Sequence, residues 1–353
     1  MKNTQKNSTY YKKISYEIPK AELHVHIEGT MQPSLVLKLA KKHNVKALQH
    51  LSIEELELLY NFNNLKDFIE LYVKCAVVLK DESDFEELMF MYLEKSYNQG
   101  LKYTEVFLDI QSLIYSNIDI SVGINGLIKG INKFNNDNVN NRSSKVYVKI
   151  LVCFLRDKPV KDALDAYEKL KLYKKHIIGI GLASNEYNYP PILFKQLFTK
   201  AKQDGYKLVA HAGEEKSIPV DYIYSAINDL KIDRMDHGVQ IIKDNNLLKI
   251  IKDINMPLTL CPVSNYKLKV FDSIKDCPVN YLLKENIPIS LNSDDPGMFC
   301  NFIGDCYFET GKENNFDIND YKTIAINSFN SAFISEEDKK YYTNLVNEYV
   351  NNI

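Results

Sequence analysis

Short apolar runs recur along the chain, and each is followed by a loop and then by a stretch whose apolar residues have helical spacing. Most runs are continuous and rich in β-branched residues, which is typical of parallel strands buried on both faces. We predict eight strands, at residues 21–27, 103–110, 146–155, 177–183, 207–212, 234–237, 257–261 and 287–292. Helices are predicted between the later strands, at residues 162–174, 191–204, 220–230, 245–254 and 279–285. Eight strand–helix alternations favour an α/β fold closed into a (β/α)8 TIM-type barrel over an open sheet.

A long segment, about residues 30–100, separates the first predicted strand from the second. Its pattern predicts helices at residues 34–43, 53–61, 64–78 and 83–98. Because no Gly/Pro/Ser-rich linker or charge block marks a boundary, we interpret the segment as a helical insertion over the barrel mouth. We therefore expect a polar N-terminal extension at residues 1–16 and a single barrel domain at residues 17–350. The polar stretch at 135–144 predicts a surface loop.

Composition excludes several classes of protein. The 44 basic and 46 acidic residues give a net charge of −2, so there is no electrostatic case for binding nucleic acid or a membrane surface. The six cysteines form no Cys-x-x-Cys pair and mostly lie in apolar runs, which predicts reduced core residues in a reducing compartment. The sequence shows neither a signal peptide nor a membrane span, so we expect a cytoplasmic protein. The oligomeric state stays open.

Histidine placement is the strongest chemical signal. Four of the seven histidines stand at the C-terminal ends of predicted strands, namely His24, His26, His211 and His237. That end of a TIM-type barrel is the catalytic face. Residues two apart in a strand point to the same side, so His24 and His26 direct two imidazoles into one space. After the eighth strand come Asp294 and Asp295, two adjacent carboxylates that are costly to bury without a positive partner.

Strands 1, 5, 6 and 8 therefore bring imidazoles and an aspartate to one mouth. Zn²⁺ takes three or four such ligands and keeps a position for water, so the sequence predicts a metal site there. Glu214, three residues after His211, is placed to reach the same cavity from its loop. The other histidines, His43, His50 and His176, receive no role.

The motifs at these strand ends resemble those of the zinc adenosine/adenine deaminases, which are (β/α)8 barrels of the amidohydrolase superfamily. They read PKAELHVHIEGT at 19–30, HAGEE at 211–215, DHG at 236–238, CPVSN at 261–265 and SLNSDDPG at 290–297. The similarity runs from about residue 17 to about residue 345. No lysine stands at the end of the fourth strand, where related two-metal hydrolases carry a carbamylated one. The resemblance therefore implies a single metal ion.

The resemblance also implies residue roles. One Zn²⁺ per chain would be bound by His24, His26, His211 and Asp294, with a water as the remaining ligand. His237 would hold the attacking hydroxide, Glu214 would deliver a proton to ring N1 of a purine, and Asp295 would hydrogen-bond N7. The implied reaction is hydrolytic deamination at C6 of a small-molecule purine.

Several positions favour the free base over the nucleoside as substrate. Glu28 stands where the nucleoside enzymes usually have Asp, and its extra methylene reaches into the space of a ribose. Residues 181–186 resemble the base-specific branch, although Ala183 replaces the usual Asp. Glu28 and Glu186 are the candidates to meet the N9 edge, and the Ser184 N–H is the candidate to meet N3. For Glu186, bracing the substrate loop is an equal alternative.

The resemblance thus predicts zinc-dependent conversion of adenine to hypoxanthine and ammonia, a step of purine salvage. Deamination of adenosine to inosine is the runner-up, and an N6-modified adenine is a further alternative for which Ala183 leaves room. A metal hydrolase acting on an amide or phosphoester is disfavoured by Glu214 and by the Asp294–Asp295 pair. A non-enzymatic role is disfavoured because every catalytic position is filled.

Overall fold

The computed structural model describes residues 8–137 and 145–353, and these contain eight parallel strands. The strands are β1 (Lys20–His26), β2 (Leu101–Asp109), β3 (Tyr147–Leu155), β4 (Ile177–Ala183), β5 (Lys207–Ala212), β6 (Arg234–His237), β7 (Leu258–Leu260) and β8 (Ile289–Leu291). They pair in chain order, each parallel to the next. The last two strands are shorter than predicted at both ends. At their starts, Pro257 and Pro288 have no N–H for the ladder.

The first and last strands meet at a short seam. Val25 and Asp294 form an isolated parallel bridge. The His26 N–H donates to the Asp294 carbonyl at 2.9 Å, and the Asp294 N–H donates to the His24 carbonyl at 3.2 Å. The seam closes the sheet, so the predicted (β/α)8 barrel is confirmed.

Helices surround the barrel. Within the described residues they are α1 (Ser8–Glu17), α2 (Pro33–Lys42), α3 (Ile53–Leu58), α4 (Leu65–Ala76), α5 (Glu82–Tyr97), α6 (Ile110–Tyr115), α7 (Ile120–Asp137), α8 (Val160–Leu170), α9 (Lys195–Gln203), α10 (Val220–Asn228), α11 (Asn245–Asp253), α12 (Pro262–Lys267), α13 (Val279–Lys284), α14 (Pro296–Phe299), α15 (Ile303–Glu313), α16 (Ile318–Asn330) and α17 (Glu336–Asn351). None of the described helices is long and apolar enough to cross a membrane.

The predicted helical insertion lies between β1 and β2 and consists of α2 to α5. Local sequence explains where its helices begin. At the start of α3 the Ser52 Oγ accepts from the Glu55 N–H at 3.1 Å, and the Ser52 N–H donates to Glu55 Oε2 at 2.8 Å. The Asn64 Oδ1 caps α4 by accepting from the Asp67 N–H at 3.0 Å. Both caps satisfy N–H groups that have no partner inside the helix.

The N-terminal segment is helical from residue 8 onward. Tyr11 and Ile14 of α1, spaced three residues apart, are both buried. Tyr16 bonds through its hydroxyl to the Asp305 carboxylate of α15. Residues 1–7 lie outside the described residues, and the division into an extension at 1–16 and a domain at 17–350 stays a prediction.

Two other sequence expectations concern loops and cysteines. Helix α7 continues to Asp137, so residues 135–137 of the predicted polar loop are helical, and residues 138–144 lie outside the described residues. All six cysteines are free, and five of them are buried.

Candidate active site

Site side chains gather at the C-terminal end of the barrel. His24 and His26 belong to β1, His211 to β5 and His237 to the end of β6. Asp294 follows β8 at the seam. These are the strand ends that the sequence predicts to converge, and their convergence follows from the parallel closure of the sheet.

Four side chains form a compact group with metal-ligand chemistry. One donor atom from each of His24, His26, His211 and Asp294 lies within 4.8 Å of the others. His26 Nε2 is 3.2 Å from His211 Nε2, and Asp294 Oδ1 is 3.2 Å from His24 Nε2. Ligands about 2.0–2.2 Å from one tetrahedral ion lie roughly 3.3–3.6 Å apart, which is close to this spacing.

Hydrogen bonding and protonation also fit a metal ion. His24 Nε2 is buried, and although Asp294 Oδ1 lies 3.2 Å away, the two atoms do not have hydrogen-bond geometry. Burial lowers the pKa of His24 to about 3 and the pKa of His26 to about 4. Burial opposes ionisation of Asp294, but the neighbouring imidazoles, His24 first, outweigh it and hold the pKa of Asp294 well below its usual range. Neutral imidazoles beside an ionised carboxylate form the donor set that Zn²⁺ prefers.

A buried polar layer lies behind this group. Thr259 Oγ1 donates to Asp236 Oδ1 at 2.9 Å and lies 3.0 Å from His24 Nδ1. Asp236 Oδ2 lies 3.7 Å from His211 Nδ1. Such partners fix the orientation and tautomer of a ligating imidazole. The sequence places Asp236 directly before His237 on β6, but it does not show that the Asp236 side chain lies behind two other histidines.

Backbone conformation at the site is unusual. His237, Asp294 and Ser184 have φ values of 59°, 65° and 76°. Residues other than glycine rarely adopt this left-handed region, and such strain persists only where the surrounding structure enforces it. Three of the predicted site residues therefore owe their side-chain directions to turns at the ends of β6, β8 and β4.

A cavity of about 110 Å³ adjoins the group of four. Of the predicted site residues, its wall contains His26, His211, Asp294, Glu214, His237, Asp295 and Ser184. Helix α4 supplies Phe68 and Tyr72 to the wall, so the insertion covers the mouth as expected. His24 is fully buried beneath this wall.

Glu214 and His237 face each other across the cavity, with Glu214 Oε2 3.7 Å from His237 Nε2. Burial, and then the nearby Asp294 carboxylate, raises the pKa of Glu214 well above its usual range. Asp295 Oδ1 is buried in the wall without a hydrogen-bond partner. The cavity wall thus contains a carboxyl group with a raised pKa, an imidazole and a carboxylate with one oxygen that has no hydrogen-bond partner.

Glu28 lies behind the wall. Glu28 Oε1 accepts from the Asp109 N–H at 3.0 Å, and Glu28 Oε2 accepts from the Tyr72 hydroxyl at 3.2 Å. Tyr72 and Asp109 are themselves wall residues. Burial raises the pKa of Glu28 to about 7 and that of Asp109 to about 6.

Glu186 lies beneath the loop that follows β5, where its carboxylate accepts from backbone N–H groups. It is fully buried beside Arg156. Arg156, Tyr72 and Asp109 were not predicted as site residues. Asp109 and Arg156 stand at the ends of apolar strands, a signal that singled out the histidines. Tyr72 lies in an insertion helix, and its position gave no such signal.

Comparison with known proteins gives an independent view of the chain. Residues 19–349 match the family described as "Adenosine deaminase". An adenine deaminase of Psychrobacter cryohalolentis is 38% identical over 333 residues, which cover 94% of this chain and 98% of that protein. The crystal structure of adenine deaminase from Arthrobacter aurescens is similar with a TM-score of 0.90 and 33% identity, covering 95% of this chain and 99% of that chain.

A more distant structure shares the fold. It is an amidohydrolase from Burkhoderia ambifaria with bound Zn, with a TM-score of 0.85 and 19% identity over 99% of this chain and 97% of that one. The family match contains all the residues of the cavity wall. The resemblance expected from the motifs is confirmed, and the chain belongs to the adenosine deaminase family.

Proposed function

We propose that this protein is a zinc-dependent hydrolase that converts adenine and water to hypoxanthine and ammonia. The observation that carries the proposal is the single cavity in which Glu214, His237 and Asp295 face the group of His24, His26, His211 and Asp294. Relatives named adenine deaminase, 33–38% identical over most of the chain, support the same reaction.

One zinc ion per chain would be held by His24, His26, His211 and Asp294. The neutral imidazoles, the ionised carboxylate and the spacing of the donor atoms support this assignment. Zinc bound there would supply an activated water close to neutral pH.

The other cavity residues would orient the water, transfer protons and bind the purine ring. His237 Nε2 lies 3.8 Å from Asp294 Oδ2 and 3.7 Å from Glu214 Oε2. These distances support a role for the imidazole in orienting the attacking water oxygen. Glu214 would give its proton to ring N1 as the oxygen adds to C6. Its carboxylate would then take the hydroxyl proton of the C6 adduct and pass it to the amino group, so that ammonia leaves as the C6–N bond breaks and the C6 carbonyl forms. Asp295, whose Oδ1 has no other partner, would bond N7 and fix the ring in the cavity.

The dimensions of the cavity favour the free base. Its volume of about 110 Å³ is below the roughly 300–1,000 Å³ of pockets for drug-sized ligands. Tyr72 and Asp109 form part of its wall, and Glu28 bonds both from behind. A ribose on N9 would need added room, and these bonds oppose displacement of the wall. The Ser184 N–H stays our candidate for a bond to N3.

The test compares kcat/KM of the zinc-loaded protein for adenine, adenosine and N6-methyladenine. Each reaction is monitored by its change in ultraviolet absorbance. We expect adenine to be preferred. A preference for adenosine or for N6-methyladenine would show that adenine is not the main substrate, but the protein would still be a deaminase. No turnover of any of the three would contradict the proposal as a whole.

A further inference from the structure

The buried Glu186 carboxylate accepts hydrogen bonds from two successive peptide groups of the loop that contains Glu214. Glu186 Oε1 accepts from the Glu214 N–H at 2.7 Å, and Glu186 Oε2 accepts from the Gly213 N–H at 3.2 Å. Gly213 has φ 75°, so the chain turns sharply between His211 and Glu214. The direction in which the Glu214 side chain leaves this turn depends on the two peptide groups that Glu186 binds.

Arg156 fixes Glu186 in turn. Its Nη1 lies 3.3 Å from Glu186 Oε2 and donates to the His211 carbonyl at 2.8 Å. Its Nε donates to the Tyr189 carbonyl at 3.0 Å. Both charged side chains are fully buried. The guanidinium therefore ties the end of β3 to the loops that follow β4 and β5.

We propose that Arg156 and Glu186 are positioning residues that set the place of the Glu214 carboxyl group opposite His237. The inference rests on the proposed function, because it assigns a purpose to the position of Glu214. In this proposal Glu186 does not contact the N9 edge of the substrate. Both of its oxygens accept from the loop, and its side chain has no exposed surface.

The two hydrogen bonds to the loop need a side chain with two acceptor oxygens. A carboxylate accepts from both peptide groups, whereas an amide has one acceptor oxygen and an NH₂ that opposes the second N–H. Glu186→Gln keeps the shape of the side chain but leaves one peptide group unsatisfied and the Arg156 charge unpaired. We expect the variant to fold with a displaced Glu214.

The experiment measures kcat and KM for adenine in Glu186→Gln and Glu186→Ala on zinc-loaded protein. We expect kcat to fall ~10–10²-fold, since a small displacement of a catalytic group has such a cost. KM for adenine should change less than about threefold, because Glu186 does not touch the substrate. A rise in KM with unchanged kcat would overturn the inference and return Glu186 to the substrate edge.

A double variant separates positioning from general damage. In the Glu214→Gln background, Glu186→Gln should cause almost no further loss of kcat, because the group that it positions is already absent. Equal and multiplicative losses in the two backgrounds would overturn the inference. Glu105→Gln is the matched control, since Glu105 is also fully buried and paired with an arginine, Arg234 Nη1 at 2.6 Å. It should lower stability while leaving kcat of the folded enzyme unchanged.

Hydrogen exchange gives a readout that does not depend on activity. The amide hydrogens of Gly213 and Glu214 should exchange at least ~10-fold faster in Glu186→Ala than in wild type, because they lose their acceptor. Unchanged exchange would overturn the inference even if the wild-type protein acted on no purine. Fast exchange together with inactive wild-type protein would confirm the contacts and contradict the proposed reaction instead.

Discussion

Gly29 and Asp295 are in such close contact that a Cβ atom on residue 29 would lie 1.8 Å from Asp295 Oδ1. The turn after β1 therefore sets the position of a cavity-wall carboxylate that follows β8. Gly29→Ala must displace the Asp295 side chain, and we expect kcat/KM for adenine to fall ~10²-fold. Steady-state kinetics with a thermal unfolding curve measures both effects.

The control for that substitution is Gly123→Ala, in helix α7, where the new methyl group would meet a flexible leucine side chain 2.8 Å away. Its activity should match wild type. Wild-type activity in Gly29→Ala would show that the Asp295 position is unimportant for turnover.

Removal of the metal is the second prediction. We expect one zinc per chain by atomic emission, loss of activity on chelation and recovery on addition of Zn²⁺. His211→Ala and Asp294→Ala should each lose the bound metal, because three remaining donors hold it more weakly. His176→Ala, remote from the cavity wall, should retain it. Full occupancy in both ligand variants would contradict the ligand set.

Glu214→Gln is the third prediction. The amide cannot donate the carboxyl proton to ring N1, and one positioned acid/base is worth ~10²–10⁴-fold in rate. We expect turnover to fall by that factor while the zinc content stays at the wild-type level. Undiminished turnover would remove Glu214 from the mechanism.

The fourth prediction concerns stability and pH at the junction of α2 and α5. Burial alone would raise the pKa of Asp84, but hydrogen bonds, that from Lys42 first, hold it below its usual range. Lys42 Nζ donates to Asp84 Oδ1 at 2.6 Å, and Asp84 Oδ2 lies 2.8 Å from His43 Nε2. A lowered pKa in the folded state stabilises the protein above the pKa of the unfolded chain, and this stabilisation disappears as pH falls through the folded value.

We therefore expect Asp84→Asn to lower the free energy of unfolding by about 1–3 kcal/mol at pH 7. The difference from wild type should begin to shrink below about pH 4, where the carboxylate of the unfolded wild-type chain takes up a proton while the folded one is still ionised. Urea denaturation at pH 7 and pH 3 checks this sign. Asp81→Asn is the control, since its side chain is 57% exposed and should have a smaller effect. An equal penalty at both pH values would contradict the electrostatic origin.

The barrel and the candidate metal group were predictable because their signals are local. A continuous apolar run followed by a histidine identifies both a buried parallel strand and its functional end, as at His211. Closure of the sheet then brings those ends together without further information. Helix α1 also had a local signal, the spacing of Tyr11 and Ile14, although the polar residues around them outweighed it in the sequence.

What the sequence could not predict depends on the packing of distant segments. Glu28 and Glu186 are carboxylates near strand ends. The sequence made both of them candidates for the substrate, and for Glu186 it left bracing of the substrate loop as an equal alternative. In the structure their acceptors are engaged with Tyr72, with the Asp109 N–H and with the loop after β5. Nothing in the order of residues indicates whether a buried carboxylate faces a cavity or the backbone behind it.

The seam at Val25 and Asp294 has a consequence for biosynthesis. The peptide groups of residues 24, 26 and 294 bond one another there, so the proposed metal-binding pocket joins the first strand to the last. A ribosome must therefore release nearly the whole chain before the pocket exists. Contacts of such long range form late and slowly during folding. Metal capture would accordingly mark the end of maturation, and a nascent or truncated chain would not compete for the cell's zinc through this pocket.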